Sequence, residues 1–359
     1  MPTEISQKIK QLLEQEAKHL SENFPYRLNL FEEGQIDQNK AGLRISETAQ
    51  QFDDLVGLTG LLFYYKLYDH SMRVPHWHAN AVEVGVVLQG KMKVTIWNGK
   101  DKPHIFTVEK NGTWLIPQAA IHALENVGGE ELEFLVVYNC PNAADRDFVT
   151  AWAALPDTIL ERSLGLLPDE ITGLKKSTLN RLSHYDPHSA PEKENIPSPF
   201  GGNFSSVTPL YKSTLGSIRR IDAETNPAMQ LMALQQTFLN PGALREPHWY
   251  TVGDTILFVK KGNAYYTTMD DKGKVYHALI KPGDMIFIPV GMFHTYVNVG
   301  TETLEIYEAF NASKGLAEVG LLSGAQHFHA GTLAAATGLS KEVTQKILKK
   351  SPENYMVAF

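Results

Sequence analysis

Ile5, Ile9, Leu12, Leu13 and Leu20 recur at roughly helical spacing within residues 4 to 20. That stretch is expected to form an amphipathic helix whose apolar face packs on the protein or on a second copy. Residues 23 to 44 carry no clear period and are expected to wrap the surface. From about Ile45 the pattern becomes that of strands. Met92, Val94 and Ile96 alternate with Lys91, Lys93 and Thr95, the mark of a half-buried strand. Asn98-Gly99-Lys100 then supplies a hairpin turn, because Asn-Gly accepts positive φ readily. Asp270-Asp271-Lys272-Gly273 stands near the equivalent later place. Short strands between such turns, twice over, predict two antiparallel barrels or sandwiches. Each half ends in a helical tail. The first is Val149 to Lys176 with a break at Gly165-Leu166-Leu167-Pro168, and the second is Leu333 to Lys350 with a break at Gly338-Leu339-Ser340. Between the halves, Ser183 to Ser205 is rich in Pro, Ser, Gly and Asn and reads as an extended linker laid across the surface.

The two halves share more than a pattern. Arg73, Pro75, His76, Trp77, Gly90, Pro117, His122 and Asn126 reappear as Arg245, Pro247, His248, Trp249, Gly262, Pro289, His294 and Asn298, each at the earlier number plus 172. No gap is needed over that span, so a whole domain has been duplicated. Pro117, and Pro289 with Gly291, are expected to shape the turn before the later histidine. Asn111 stands where the copy has Gly283, which points to a turn with positive φ there. The expected organisation is a helix and extended arm over 1–44, a first barrel with its tail over 45–176, a linker over 177–204, and a second barrel with its tail over 205–350.

The first half carries the chemistry. His76 and His78 are two apart, so on an extended strand they face one side. Glu83 follows shortly after, and His122 arrives on a later strand. Three imidazoles and one carboxylate suit a divalent metal with open coordination positions, a catalytic arrangement and not a closed structural one. Such a ligand set accepts Mn(2+) or Fe(2+), and also Ni(2+), Co(2+) or Zn(2+). Two open positions could take a bidentate dianion, or a carboxylate plus dioxygen, with the ion serving as Lewis acid, template or redox partner. In the copy, Tyr250 replaces His78 and Thr255 replaces Glu83. Asp254 is one residue from the glutamate position, and a one-residue slip turns a strand side chain to the other face. Arg73 could grip a substrate carboxylate beside the metal, although strict alternation would point it away from the His76 side unless Pro75 disturbs the strand. His327-Phe328-His329 has no third ligand at matching spacing, and His184 and His188 lie in the linker, so none is assigned a role.

Composition narrows the classes. The chain has 359 residues, 43% hydrophobic and 20% charged, which fits two soluble globular domains. A net charge of −7 offers no basic face for nucleic acid. The single Cys140 excludes an intramolecular disulfide. The start is charged throughout, without the apolar core of a secretory signal, and no apolar run is long enough to span a bilayer. A cytoplasmic location and no membrane partner are the resulting expectations.

Pro75-His76-Trp77-His78 with Glu83 and Gly90 resembles the first cupin motif, and Pro117, His122 and Asn126 resemble the second. The resemblance covers residues 45 to 345, so the chain looks like a bicupin: all-β with helical extensions, two tandem cupin barrels of the double-stranded β-helix or jelly-roll type. More narrowly it resembles the oxalate decarboxylase family, through Pro197-Ser198-Pro199-Phe200, through Gly242-Ala243-Leu244-Arg245-Glu246-Pro247-His248-Trp249, and through the broken helices near Gly165 and Gly338. That resemblance implies a manganese-dependent lyase that splits oxalate into formate and carbon dioxide with dioxygen as catalyst, working as a homo-oligomer. It implies His76, His78, Glu83 and His122 as metal ligands and Arg73 as the residue that holds and polarises the carboxylate.

Three departures qualify the likeness. The second barrel lacks two ligands and is expected to be metal-free. His70 stands where the family usually has glycine. The stretch Cys140 to Phe148 contains no glutamate to match the family's proton-delivering lid residue; Asp145 could replace it as general acid if burial raised its pKa, and otherwise reads as a solvated loop charge. The leading expectation is a metalloenzyme acting on a small carboxylate, oxalate first, as decarboxylase or oxidase. The alternatives are a bicupin dioxygenase cleaving an aromatic or flavonol substrate, and a non-catalytic metal-binding cupin.

Overall fold

The computed structural model describes residues 2–47, 60–100, 102–175, 180–188, 197–350 and 355–359. The side chain of Ile5 and the linker stretch 189–196 lie outside this description. Two compact units emerge, one of residues 33–206 with 223–232, the other of residues 1–32, 207–222 and 233–359.

In the first unit, period-2 burial drives two sheets together. One sheet runs Asp145–Asp147, Ser71–His78, Ile121–Asn126, Lys91–Trp97, His104–Glu109, with Leu182–His184 also on Ser71–His78. The other runs Gly201–Asn203, Gly112–Ile116, Glu83–Gln89, Leu132–Tyr138, Leu61–Leu67, Gly42–Ser46, Gln35–Asn39. Met92, Val94 and Ile96 of the expected half-buried strand meet Tyr65, Val87, Trp114 and Phe134 of the facing sheet in one core. The second unit repeats the plan. Its strands Ala243–Tyr250, Thr255–Lys261, Asp284–Ile288, Phe293–Asn298 and Leu304–Phe310 fall 172 positions after Ser71–His78, Glu83–Gln89, Gly112–Ile116, Ile121–Asn126 and Leu132–Tyr138.

Side chains repeated without any metal-binding role hold the turns. Asn126 donates from Nδ2 to the carbonyls of Leu67, Tyr68 and Glu130, and Asn298 does the same to Leu239 and Glu302. Asn111 has φ +67 and its counterpart Gly283 has φ +90, as the sequence suggested. His70 also has positive φ, which explains why its counterpart is Gly242.

Two expectations need correction. Residues 23 to 44 do more than wrap the surface: Gln35–Asn39 pairs with Gly42–Ser46 at the edge of the first unit's sheet, and Arg27–Asn29 pairs with Asp284–Ile288 in the second unit. These strands are short, and Gln35–Asn39 is exposed at nearly every position, so no period-2 pattern marks them. The described ends of the linker are also structured. Leu182–His184 pairs with Ser71–His78, and Gly201–Asn203 with Gly112–Ile116. The tails fold as Phe148–Ala153, Asp157–Leu164 and Pro168–Lys175, and as Leu321–Ala325, Ala330–Thr337 and Lys341–Leu348. Left-handed Gly165 and Gly338 end a helix in each tail, at the breaks read from sequence. Among the described residues, no helix is long and apolar enough to cross a membrane.

Candidate metal centre

His76 and His78 sit on Ser71–His78, Glu83 opens the strand Glu83–Gln89, and His122 lies on Ile121–Asn126 directly opposite His76. All four side chains are buried, and one ligand atom from each lies within 4.8 Å of the others.

The histidines are oriented by their outer nitrogens. His76 donates from Nδ1 to the Val74 carbonyl at 2.8 Å, and His122 donates from Nδ1 to the Ala120 carbonyl at 3.0 Å. A carbonyl can only accept, so Nδ1 carries the proton and Nε2 keeps its lone pair for a metal. His122 Nε2 is buried without a hydrogen-bond partner. Glu83 Oε2 lies 3.0 Å from His78 Nε2 and 3.4 Å from His122 Nε2. Its other oxygen accepts from Trp114 Nε1 at 2.9 Å. Burial pushes the His76 imidazole well below its ordinary pKa, and the nearby Arg73, His122 and His78 push it further. Burial works against ionised Glu83, but the charge and hydrogen bonds that His122 and His78 offer when protonated outweigh it and lower the carboxyl below its usual range. Neutral imidazole and ionised carboxylate are the forms a divalent cation requires. The donor set therefore fits such an ion, with the orphaned His122 Nε2 as the specific sign.

Arg73 resolves against strict alternation. Across two positions of the neighbouring strand, from His122 to Leu124, the strand uses three, from His76 to Arg73. This bulge beside Pro75 resets the phase, so Arg73, His76 and His78 are all buried on the inside. Arg245 and His248 show the same irregularity. Arg73 pairs with Asp147 at 2.6 Å and with Asp145 at 2.8 Å. Burial opposes its charge, but Asp145 and Asp147 outweigh that, so it is held cationic more firmly than an ordinary arginine.

Asp145 is not a solvated loop charge. It begins the short strand Asp145–Asp147, pairs in register with His78, and keeps only 17% of its side chain exposed. Its Oδ1 is 3.3 Å from His78 Nδ1 and 4.0 Å from His76 Nε2, and its Oδ2 faces Arg73. Sequence reasoning missed Trp114, Asp147, Arg44 and Arg181 around this centre. Asp147, two residues from Asp145 on an extended strand, carried a readable signal; the others sit far away in sequence and carried none.

The counterpart positions in the second barrel form a different network. Tyr250 OH lies 3.3 Å from His248 Nε2 and donates to Glu308 Oε1 at 2.9 Å. Gln235 donates to the other oxygen of Glu308 at 2.7 Å. Burial lowers His294 to a pKa of about 4. Glu308, the buried one of two acids in Leu304–Phe310, was visible in the sequence, but its counterpart Val136 gave nothing to flag it.

Comparison with known proteins agrees with this architecture. The family model described as Cupin matches residues 28–172 and 203–351. An oxalate decarboxylase of Bacillus subtilis is 24% identical over 254 residues, 68% of this chain and 65% of that protein, so the chain matches under two thirds of its relative's length. A legumin type B of Vicia faba is 33% identical over 129 residues, 35% of this chain and 38% of that one. A germin-like protein of Arabidopsis thaliana is 31% identical over 74 residues, 21% of this chain and 33% of that one. A solved structure of the Bacillus subtilis oxalate decarboxylase matches with TM-score 0.82 at 21% identity, over 93% of this chain and 87% of that one. Another, of the same enzyme in work on its Mn(II) centres, matches with TM-score 0.81 at 20% identity, over 93% and 89%. With its motifs, its paired sheets and two matched segments in tandem, this chain belongs to the cupin family as a bicupin.

Proposed function

We propose that the chain is a metal-dependent bicupin enzyme acting on a small carboxylate, with oxalate the first candidate. His76, His78, Glu83 and His122 would hold the ion, Mn(2+) in the first instance. The observation that carries the reading is the convergence of four buried ligand atoms beside a buried arginine. The relative is named an oxalate decarboxylase, and a solved structure of it concerns Mn(II) centres, which supports the choice of substrate and ion.

The bound metal would supply Lewis acidity and a redox partner for dioxygen. The residues supply the rest. Arg73, fixed by Asp147, presents a guanidinium to one substrate carboxylate. Trp114, Phe134 and Tyr138 belong to the buried apolar core, and the Tyr138 ring packs against His78 at 4.6 Å. Cleavage of the C–C bond of oxalate releases carbon dioxide and leaves a carbon that needs one proton to become formate. Asp145, beside His78 and Arg73, is the acid we assign to deliver it from its carboxyl oxygen. The second barrel, where Tyr250 stands in place of a histidine with its OH 3.3 Å from His248 Nε2 and Thr255 replaces the carboxylate, reads as metal-free.

The test joins elemental analysis of the purified protein to formate detection from oxalate under air. The expected result is about one metal per chain and formate release, both lost in His78→Ala. A protein that keeps its metal, turns over no oxalate, and cleaves a catechol or flavonol instead would replace this reading with the dioxygenase one.

A further inference from the structure

Three arginines from distant parts of the first unit converge on one carboxylate. Asp145 Oδ2 is 2.8 Å from Arg73 Nη2, 3.7 Å from Arg181 Nε and 4.0 Å from Arg44 Nη1. Among the described residues, each of the three carries a buried Nε–H with no hydrogen bond, and Asp145 Oδ1 makes none either, its neighbour being His78 Nδ1 at 3.3 Å. Buried donors without acceptors are rare in folded proteins and mark a place built for something else. We infer that Arg44 and Arg181 join Arg73 in one anion seat beside the metal centre, held in the free chain by Asp145 Oδ2 as an internal stand-in, and that an incoming dianion takes over those contacts and leaves the Asp145 carboxyl beside His78, free to carry the proton it delivers. This rests on the carboxylate reading above and adds two residues that set the substrate's charge.

The seat survives the release of Asp145 because the arginines have other anchors. Arg73 remains tied to Asp147 and to the Arg181 carbonyl. Arg44 lies over the Phe63 ring at 5.3 Å and 3.6 Å from Asp37. The Arg181 backbone is fixed by the hydrogen bond from Val74 N to its carbonyl. With Asp145 released from the arginines, the three guanidiniums face, among the described residues, Asp37 and Asp147, so positive charge is in excess. The seat also adjoins the ligand cluster, since the Asp145 carboxylate is 4.0 Å from His76 Nε2. A compact diacid can therefore place one carboxylate among the arginines and the other toward the metal. A monocarboxylate satisfies one of the two positions.

Calorimetric titration of the metal-loaded protein with oxalate, malonate, phosphate and acetate tests this. The wild type should bind oxalate or another dianion at least about tenfold more tightly than acetate, the worth of one charge-assisted contact. Arg44→Gln and Arg181→Gln should each remove most of that preference while metal content stays constant. Asp145→Asn should tighten dianion binding, because the competitor loses its charge. Arg181, partly exposed, carries the test if Arg44→Gln fails to fold. An unchanged dianion preference in both arginine variants overturns the seat and leaves oxalate turnover standing. Arginine-dependent binding of malonate or phosphate without oxalate turnover keeps the seat and overturns the proposed reaction. No anion binding by the wild type overturns both.

Discussion

Trp114 donates its indole N–H to Glu83 Oε1, leaving Oε2 for the cluster of imidazoles. A hydrogen bond to a ligand's outer oxygen fixes the inner one, and losing such a partner typically weakens metal binding about 10–100-fold. Trp114→Phe keeps the ring and removes the donor, so competition with a chelator should show a loss in that range. Removal of one of the proposed ligands goes further. Glu83→Ala or His122→Ala should strip most of the metal, while His248→Ala, in the second barrel, should not; equal loss from all three in elemental analysis would contradict the assignment to one barrel. These residue types were legible in the sequence because ligand chemistry belongs to the side chain. Trp114 was not, since nothing in its neighbours announces a contact with Glu83, 31 positions earlier.

Strands were readable where burial alternates and obscure where it does not. Lys91–Trp97 followed the period-2 rule, whereas Ser71–His78 breaks phase at its bulge, and that break decides which way Arg73 faces. The turn before His122 contains a second local departure. Ala119 has φ +61, while its counterpart Gly291 has φ +77. A left-handed alanine costs about 1 kcal/mol, partly offset by the lower entropy of alanine in the unfolded chain. Ala119→Gly should therefore raise stability by about 0.5 kcal/mol in denaturant melts, with metal content unchanged. Ala119 is exposed, so no packing is lost. A fall in stability would show that the turn is held by something other than backbone conformation.

At the scale of the whole molecule, stability also depends on buried groups outside the His/Glu cluster. Glu47 accepts from Leu62 N through Oε1, and its other oxygen is buried without a hydrogen bond among the described residues. Burial pushes its carboxyl from near 4.5 up to about 8. The folded chain thus binds this proton more tightly than the unfolded chain does. The stabilisation is full below pH 4.5 and declines as pH rises toward about 8. Glu47→Gln should be the more stable protein at pH 8, by on the order of a few kcal/mol, with the advantage gone near pH 4. Urea melts at the two pH values read this directly, and an advantage that does not change with pH would remove Glu47 as its cause.

The duplication, the ligand types and the positions of the tails were fixed locally, by side-chain chemistry and by a repeat that keeps one offset throughout. Only folding decided that Arg73 turns inward, that Asp145 lies against His78, and that Arg44 and Arg181 meet Arg73. The physical reason is register. A strand's own sequence sets its period, but the phase of that period, and the partners it brings together, are set by hydrogen bonds to strands far away along the chain.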